Sequence, residues 1–572
     1  MEKTRQVHPL AIFPLLTTGV FLIPVILGLL GTWLPAFGYF PAIGLDRISL
    51  QPWVDLFNHP SFFSAVAKTL ISGIGASVLA ILLTAILLIG TYPSRFFNAI
   101  ERVLAPILSV PHAAFAIGIS YLITPSGWFI RGAESVFGWF PVPPLWTTFQ
   151  DPWGVSLIIT LALKEMPFLL FMSLAVLPSL NTSKALWLSK SMGNGARFAW
   201  LWLLLPQLYR QIKLPFFAVI AFSLTVVDIA LIAGPTTPPT LAVLITQLFN
   251  DPNLLQRTVG AAGATTLLAL VMASLLITHL AEWPLRELRS AFIRHGRQTS
   301  HWMSWEKPMA LVLALGIGLV YLCSTLVTFI WSFAQRWRFP DILPNEFSVR
   351  AWARVFERIG EPFWCTFWLA ILSACIALVL VILVLENEVR LRWQRGRFDT
   401  SKALWLIYLP LLVPQIAFLF GFQVALIQIG WDGQFIALLW SHLVFVVPYV
   451  FLTLSGPYRK FDDRFFWQAL SLRQARYPAY WRIKFPMLLR PILYAFSTGF
   501  AVSIAQYLPT LFIGAGYFST ITTEAVAMST GSDRRMTAVL ALWQQILPLS
   551  IFALATLLPA LRFRSRRAMQ QR

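Results

Sequence analysis

Twelve apolar runs alternate with short polar connections along the chain. The first six fall near 10–34, 63–91, 104–124, 152–178, 213–234 and 259–281. The second six fall near 308–333, 361–386, 403–427, 434–456, 487–513 and 536–561. Each is long enough to cross a hydrocarbon core about 30 Å thick. The pattern predicts an all-α membrane protein with about 12 transmembrane helices. Lys3 and Arg5 precede the first run, which is longer than the apolar region of a cleaved signal peptide, so it reads as a retained first helix.

Composition narrows the class further. The 572 residues are 57% hydrophobic and 12% charged, with a mean hydropathy of +0.70. Soluble domains carry about twice that share of charge. The net charge of +20 would suit nucleic acid or anionic lipid, but its distribution has a plainer cause. With the N-terminus in the cytoplasm, about 32 of the 44 Lys and Arg fall on cytoplasmic segments, which is the positive-inside bias. An even number of spans then returns both termini to the cytoplasm, and the basic tail Arg562, Arg564, Arg566 and Arg567 fits that side. No nucleic-acid partner is expected. Cys323, Cys365 and Cys375 lie in or beside apolar runs and make neither a metal-ligand spacing nor a disulfide framework.

The chain repeats itself. Val110-Pro111-His112-Ala113-Ala114-Phe115-Ala116-Ile117-Gly118 reads against Val413-Pro414-Gln415-Ile416-Ala417-Phe418-Leu419-Phe420-Gly421. Met166-Pro167-Phe168 reads against Val447-Pro448-Tyr449, and Ser223 and Ser503 each stand eleven residues before Gly234 and Gly514. The pairs keep their order, so a six-helix unit is duplicated in parallel, with units at 1–290 and 291–572 and the seam in the basic stretch 283–307.

The connection between the fourth and fifth helices of each unit carries a further pattern. The first copy, 183–213, holds Trp187-Leu188-Ser189-Lys190-Ser191-Met192-Gly193, then nine residues, then Leu203-Leu204-Leu205-Pro206. The second, 463–490, holds Trp467-Gln468-Ala469-Leu470-Ser471-Leu472-Arg473, nine residues, then Ile483-Lys484-Phe485-Pro486. Arg210 and Arg490 follow at matched positions. Each copy predicts a short amphipathic helix, a turn and a second short helix that ends at Pro206 or Pro486, with Gly193 free to take the positive φ of a sharp turn.

These residues resemble the EAA loop of the permease subunits of binding-protein-dependent ABC importers, whose glycine and proline positions stand thirteen apart, as the matching positions of both copies do here. The glutamate position is Trp187 and Trp467, and the second glycine position is Arg473. The resemblance is to the fused two-permease type, similar to the iron(III), thiamine and related transporters. It implies a bacterial inner-membrane, multi-pass location. It also implies two copies of an ABC ATPase, each receiving one loop, and an external solute-binding protein. The ATPase-coupling residues would be Trp187, Gly193, Leu205, Pro206, Arg210, Trp467, Arg473, Ile483, Pro486 and Arg490. The two tryptophans would equally suit the membrane interface, where tryptophan is enriched.

Polar residues inside spans are costly and therefore candidates for the translocation path. They are His112, Lys164, Glu165, Asp228, Gln415, His442 and Gln506. Lys164 is a possible partner of Asp228 or Glu165, in which case the pair would only lock two helices together. Lys68, near the outer end of the second span, can snorkel to water. The outside segment from Arg336 to Glu361 carries a helical pattern around Val349–Ile359.

No G-x-x-x-x-G-K-[ST] loop occurs, so nucleotide hydrolysis is not expected in this chain. A transport subunit without catalysis, cofactor or metal is the expectation, with ATP bound by its partner. The alternative is a twelve-helix secondary transporter of the major facilitator type.

Overall fold

In a computed structural model of the chain, residues 9–294, 306–395, 401–471, 480–531 and 533–562 are described, most of them helical. The first half contains α1 (Ile12–Ala36), α2 (Gln51–Asn58), α3 (Phe62–Thr91), α4 (Arg95–Ser109), α5 (His112–Ile123), α6 (Trp128–Phe137), α7 (Val155–Val176) and α8 (Thr182–Ser191). It continues with α9 (Ala196–Phe198), α10 (Leu205–Thr225), α11 (Asp228–Ala233), α12 (Leu241–Phe249) and α13 (Gln256–Arg294). The second half opens with α14 (Glu306–Phe333), a two-stranded hairpin of β1 (Ala334–Arg336) and β2 (Glu346–Phe347), and α15 (Arg350–Arg358). Then come α16 (Gly360–Arg395), α17 (Ser401–Leu412), α18 (Gln415–Gln428), α19 (Phe435–Arg459) and α20 (Arg464–Ser471). The chain closes with α21 (Phe485–Ala505), α22 (Leu508–Ile513), α23 (Ile521–Ser529) and α24 (Arg534–Arg562).

Among the described residues, 10 helices are long and apolar enough to cross a membrane, or 11 with the bent pair α17–α18 taken as one span. In the remaining position of the expected twelve stands α10. Gln207, Arg210, Gln211 and Lys213 make its first turns polar.

Four spans expected to be continuous are broken. The runs at 104–124 and 403–427 divide before Pro111 and Pro414, and the second pair bends by 98°. Proline lacks an N–H and drives the preceding residue out of the helical region; Val110, at φ −66° and ψ 121°, is extended. The runs at 213–234 and 487–513 divide at Val226 (ψ 134°) and Gln506 (ψ 116°).

The first helix of each half packs on the other half. Backbones of α1 and α18 touch through Gly28, Gly31 and Gly421. A Cβ on Gly31 would fall 2.6 Å from the Gly421 carbonyl oxygen. Thr32 Oγ1 accepts the Gly421 N–H at 3.1 Å, and Trp440 Nε1 donates to the Val20 carbonyl at 2.8 Å. Small residues permit such close crossings where lipid gives no hydrophobic drive between helices. In the opposite sense α14 lies on α5, with Gly118 against Ser324, and Tyr321 Oη donates to the Leu163 carbonyl at 2.9 Å.

One bond recurs in both halves. Thr69 Oγ1 accepts Leu241 N–H at 2.8 Å, and Thr366 Oγ1 accepts Ile521 N–H at 2.9 Å. Lys68, part-buried, donates to the Pro238 carbonyl at 2.8 Å, where the segment after α11 folds back toward it. Helix α13 runs past residue 290 to Arg294, and the rest of the expected seam to 305 lies outside the described residues.

Candidate translocation path and docking surface

Where the third and fifth helices of both halves break, their ends enclose a cavity of about 130 Å³. His112, the first residue of α5, and Asp228, the first of α11, reach it from the first half. Gln415, the first residue of α18, and Gln506, at the break after α21, reach it from the second. Interrupted helices are tolerated at membrane depth only where their freed backbone groups are buried in protein or line a cavity. Four of the seven expected path residues thus converge, and Tyr449 and Thr225 add hydroxyls.

The other three are placed differently. Lys164 is buried, with Nζ donating to the carbonyls of Ile107 (3.4 Å) and Val110. It therefore satisfies the last turn of α4 rather than Asp228, because the break before Pro111 leaves those carbonyls without intrahelical donors. Glu165 Oε1 stands 3.3 Å from His112 Nε2 and so holds the imidazole beside the cavity. His442 does not line it. Its Nδ1 lies 3.0 Å from Ser503 Oγ and its Nε2 3.1 Å from Thr510 Oγ1, joining α19 to α21 and α22.

A second, larger cavity of about 450 Å³ lies farther along α5 and α11, lined by Ser120, Tyr121, Gln150, Thr236, Thr530 and Arg534 among others. Sequence reasoning missed it. Arg534 Nη2 donates to Ser126 Oγ at 3.1 Å, and Tyr121 Oη donates to the Arg534 carbonyl at 2.8 Å. The available signal was Arg534-Arg535 on an outside connection, against the charge bias of the rest of the chain. Beside this cavity Asp151 starts α7, accepting the N–H groups of Val155 (2.9 Å) and Ser156 (2.8 Å). Burial works against its charge, but these bonds and the Ser156 hydroxyl outweigh it and hold the carboxyl below its ordinary value.

On the opposite face α8 precedes a turn in which Gly193 has φ +76°, the left-handed conformation expected of it. Beyond the turn the expectation for Pro206 and Pro486 is corrected: neither ends a helix. Residues Ala199–Leu204 and Tyr480–Lys484 wind as π-turns that lead straight into α10 and α21, with each proline in the first turn, where an N–H has no intrahelical partner. From Ala196 and from Tyr480 onward, each loop is thus the start of one long helix that reaches the cavity.

The remaining loop residues differ between the halves. Leu205 begins α10, and Ile483 lies in the second π-turn. Trp187 is 70% exposed, whereas Trp467 is 40% exposed and packs on Trp393 with ring centroids 5.1 Å apart. Lys484, buried, pairs with Glu386 at 2.5 Å, and Glu386 also accepts the Tyr458 hydroxyl. In the first half the position of Lys484 is held by buried Leu204, and nearby Trp200 is buried against Tyr92 with ring centroids 5.8 Å apart. Arg210 stands about 21 Å along the helix from Ala196, and Arg490, exposed, lies over the Tyr494 ring at 5.7 Å. Arg473 lies outside the described residues. Among the described residues no three His, Cys, Asp or Glu side chains are grouped to hold a metal ion.

No family model matches the chain. It is 32% identical over 522 residues to the inner membrane ABC transporter permease protein YnjC of Escherichia coli (strain K12), an alignment covering 89% of this chain and 91% of that protein.

Proposed function

The chain belongs to the inner membrane ABC transporter permeases, and from that premise we propose that one polypeptide supplies the whole transmembrane path of an importer. It is a multi-pass transport subunit that works with an ATPase and a binding protein. In our reading the two units, 1–290 and 291–572, each dock one ATPase copy, and one external binding protein delivers the solute. Both termini face the cytoplasm, as the charge distribution favours, and the chain carries no nucleotide-binding motif of its own.

The observation that supports this most is the unbroken helix that runs from Ala196 to the break at Val226 and from Tyr480 to the break at Gln506, each through a π-turn. A displacement imposed on α8 or α20 is carried by α10 or α21 to the cavity that holds His112, Asp228, Gln415 and Gln506. Trp187 offers an apolar contact to a docked partner, and Gly193 fixes the turn behind it. Breaks of this kind at membrane depth are also known in secondary transporters, but the kinship to an ABC permease disfavours that class.

The test is co-purification of the full chain with an ATPase encoded beside it, comparing wild type with Trp187→Ala. The variant is expected to insert normally and to lose most of the bound ATPase. Normal ATPase recovery would remove Trp187 from the docking surface, and failure of any ATPase to bind wild type would overturn the reading.

A further inference from the structure

A third opening, independent of the path, lies between α3, α10 and α13 of the first half. It is an open groove with about 680 Å³ of room. Its walls are apolar, from Ile74 to Leu88 on α3 and from Leu205 to Ile220 on α10. At one end, beside the docking face, it carries Arg210, Lys213, Arg286 and Arg289 against the single acid Glu282. Glu282 is already satisfied by Lys213 at 2.6 Å, Arg286 at 2.9 Å and the Tyr209 hydroxyl at 3.2 Å. Arg289 Nε is buried without a hydrogen-bond partner among the described residues. An unmet guanidinium donor in a net positive rim calls for an anion.

We propose that this groove binds one anionic glycerophospholipid, with its phosphate on Arg210 and Arg289 and an acyl chain along α3 and α10. The dimensions fit one leaflet. From Ile74 to Leu88 the wall rises about 21 Å at 1.5 Å per residue, against about 15 Å for half the hydrocarbon core plus a headgroup layer. Guanidinium groups bind phosphate through paired N–H donors, and basic recesses between spanning helices at the cytoplasmic side suit anionic headgroups. A soluble partner would gain nothing from the long apolar wall, which lipid fills at no cost. Among the described residues the second half is built differently. There Arg490 lies over Tyr494, and the positions of Tyr209 and Lys213 are taken by Leu489 and Leu493. The lipid at this site braces α10, the helix that joins the first docking turn to the path.

The experiment is native mass spectrometry of the delipidated full chain with phosphatidylglycerol or phosphatidylcholine of matched acyl chains. Wild type is expected to retain one more phosphatidylglycerol than phosphatidylcholine. The pair Arg210→Gln and Arg289→Gln should weaken that retention by about tenfold or more, while Arg490→Gln leaves it unchanged. A photoactivatable phosphatidylglycerol should label α3 and α10 peptides of wild type, which keeps the test independent of variant folding. Equal retention of both lipids, retention unchanged in the double variant, labelling elsewhere only, or competition by inorganic phosphate alone would overturn the assignment.

Discussion

In the first half Lys164, Glu165, His112 and Asp228 gather around the breaks in the third and fifth helices. The aligned positions of the second half hold Phe445, Val446, Gln415 and Leu508. The second half instead places its buried charges near the docking face, where Lys484 meets Glu386 and Arg459 meets Glu388 at 2.9 Å. The first half joins the same two helices by apolar contact, Trp200 on Tyr92. Both halves thus pair charges near the docking face, the first through Glu282 with Lys213 and Arg286, but charged side chains gather at mid-depth around the helix breaks in the first half. A charge at mid-depth is expensive, and in this chain that expense falls on the half whose residues face the cavity with a carboxylate and an imidazole.

The crossings between halves should separate them most strongly. Gly421→Ala drives a Cβ into the backbone of α1 and should cost about 3 kcal/mol or more, seen as lost folded yield and a lower Tm in detergent. Gly118→Ala brings its Cβ to 3.0 Å from Ser324 and should cost only about 1 kcal/mol. Equal losses would erase the difference between the two crossings.

Next in size, Lys164→Met leaves the Ile107 and Val110 carbonyls at the end of α4 without this donor and should cost about 2–3 kcal/mol, whereas Phe445→Met should stay within about 1.5 kcal/mol. Thermal melts of the two variants side by side check this, and a neutral Lys164→Met would show that the α4 carbonyls find other donors.

At the docking face Glu386→Gln should loosen the start of α21 by about 1–2 kcal/mol. Hydrogen exchange there should speed up, and it should also speed up with salt in wild type. Trp200→Phe should cost about 1 kcal/mol or less with no salt response. A salt-sensitive first half would break the contrast.

The smallest effect concerns the start of the fourth helix. The Asp151 carboxyl is held below its ordinary value, so its contribution is full above about pH 4 and is lost as pH falls through the lowered value. Asp151→Asn should remove about 1 kcal/mol at neutral pH and flatten that acid dependence. Helix α19 begins after Gln434 without a side-chain cap, so Gln434→Ala should change neither. Melting curves from pH 7 to 3 distinguish the outcomes.

How much was legible varied with the physics involved. The order of apolar runs and the matched Val-Pro pairs foretold the spans and even marked, at Pro111 and Pro414, where the third helices divide. The breaks at Val226 and Gln506 carry no such mark, since neither residue nor its successor is proline, and the runs around them read as continuous. His112, Asp228, Gln415 and Gln506 stood out as polar letters in apolar runs, but Arg534 and Arg289 did not, because arginine at a helix end is ordinary by sequence alone.

The sequence by itself determined what local rules decide. A residue's transfer energy into lipid and the charge bias of its flanks act over a single helix, so spans and candidate polar positions follow directly. Tertiary structure alone decided which polar residues share a cavity and which merely satisfy a neighbour. Lys164 became a cap for α4, and His442 a bridge between α19 and α21. Those roles depend on the ends of other helices, and a broken helix exposes its carbonyls only where the rest of the fold brings a donor to meet them.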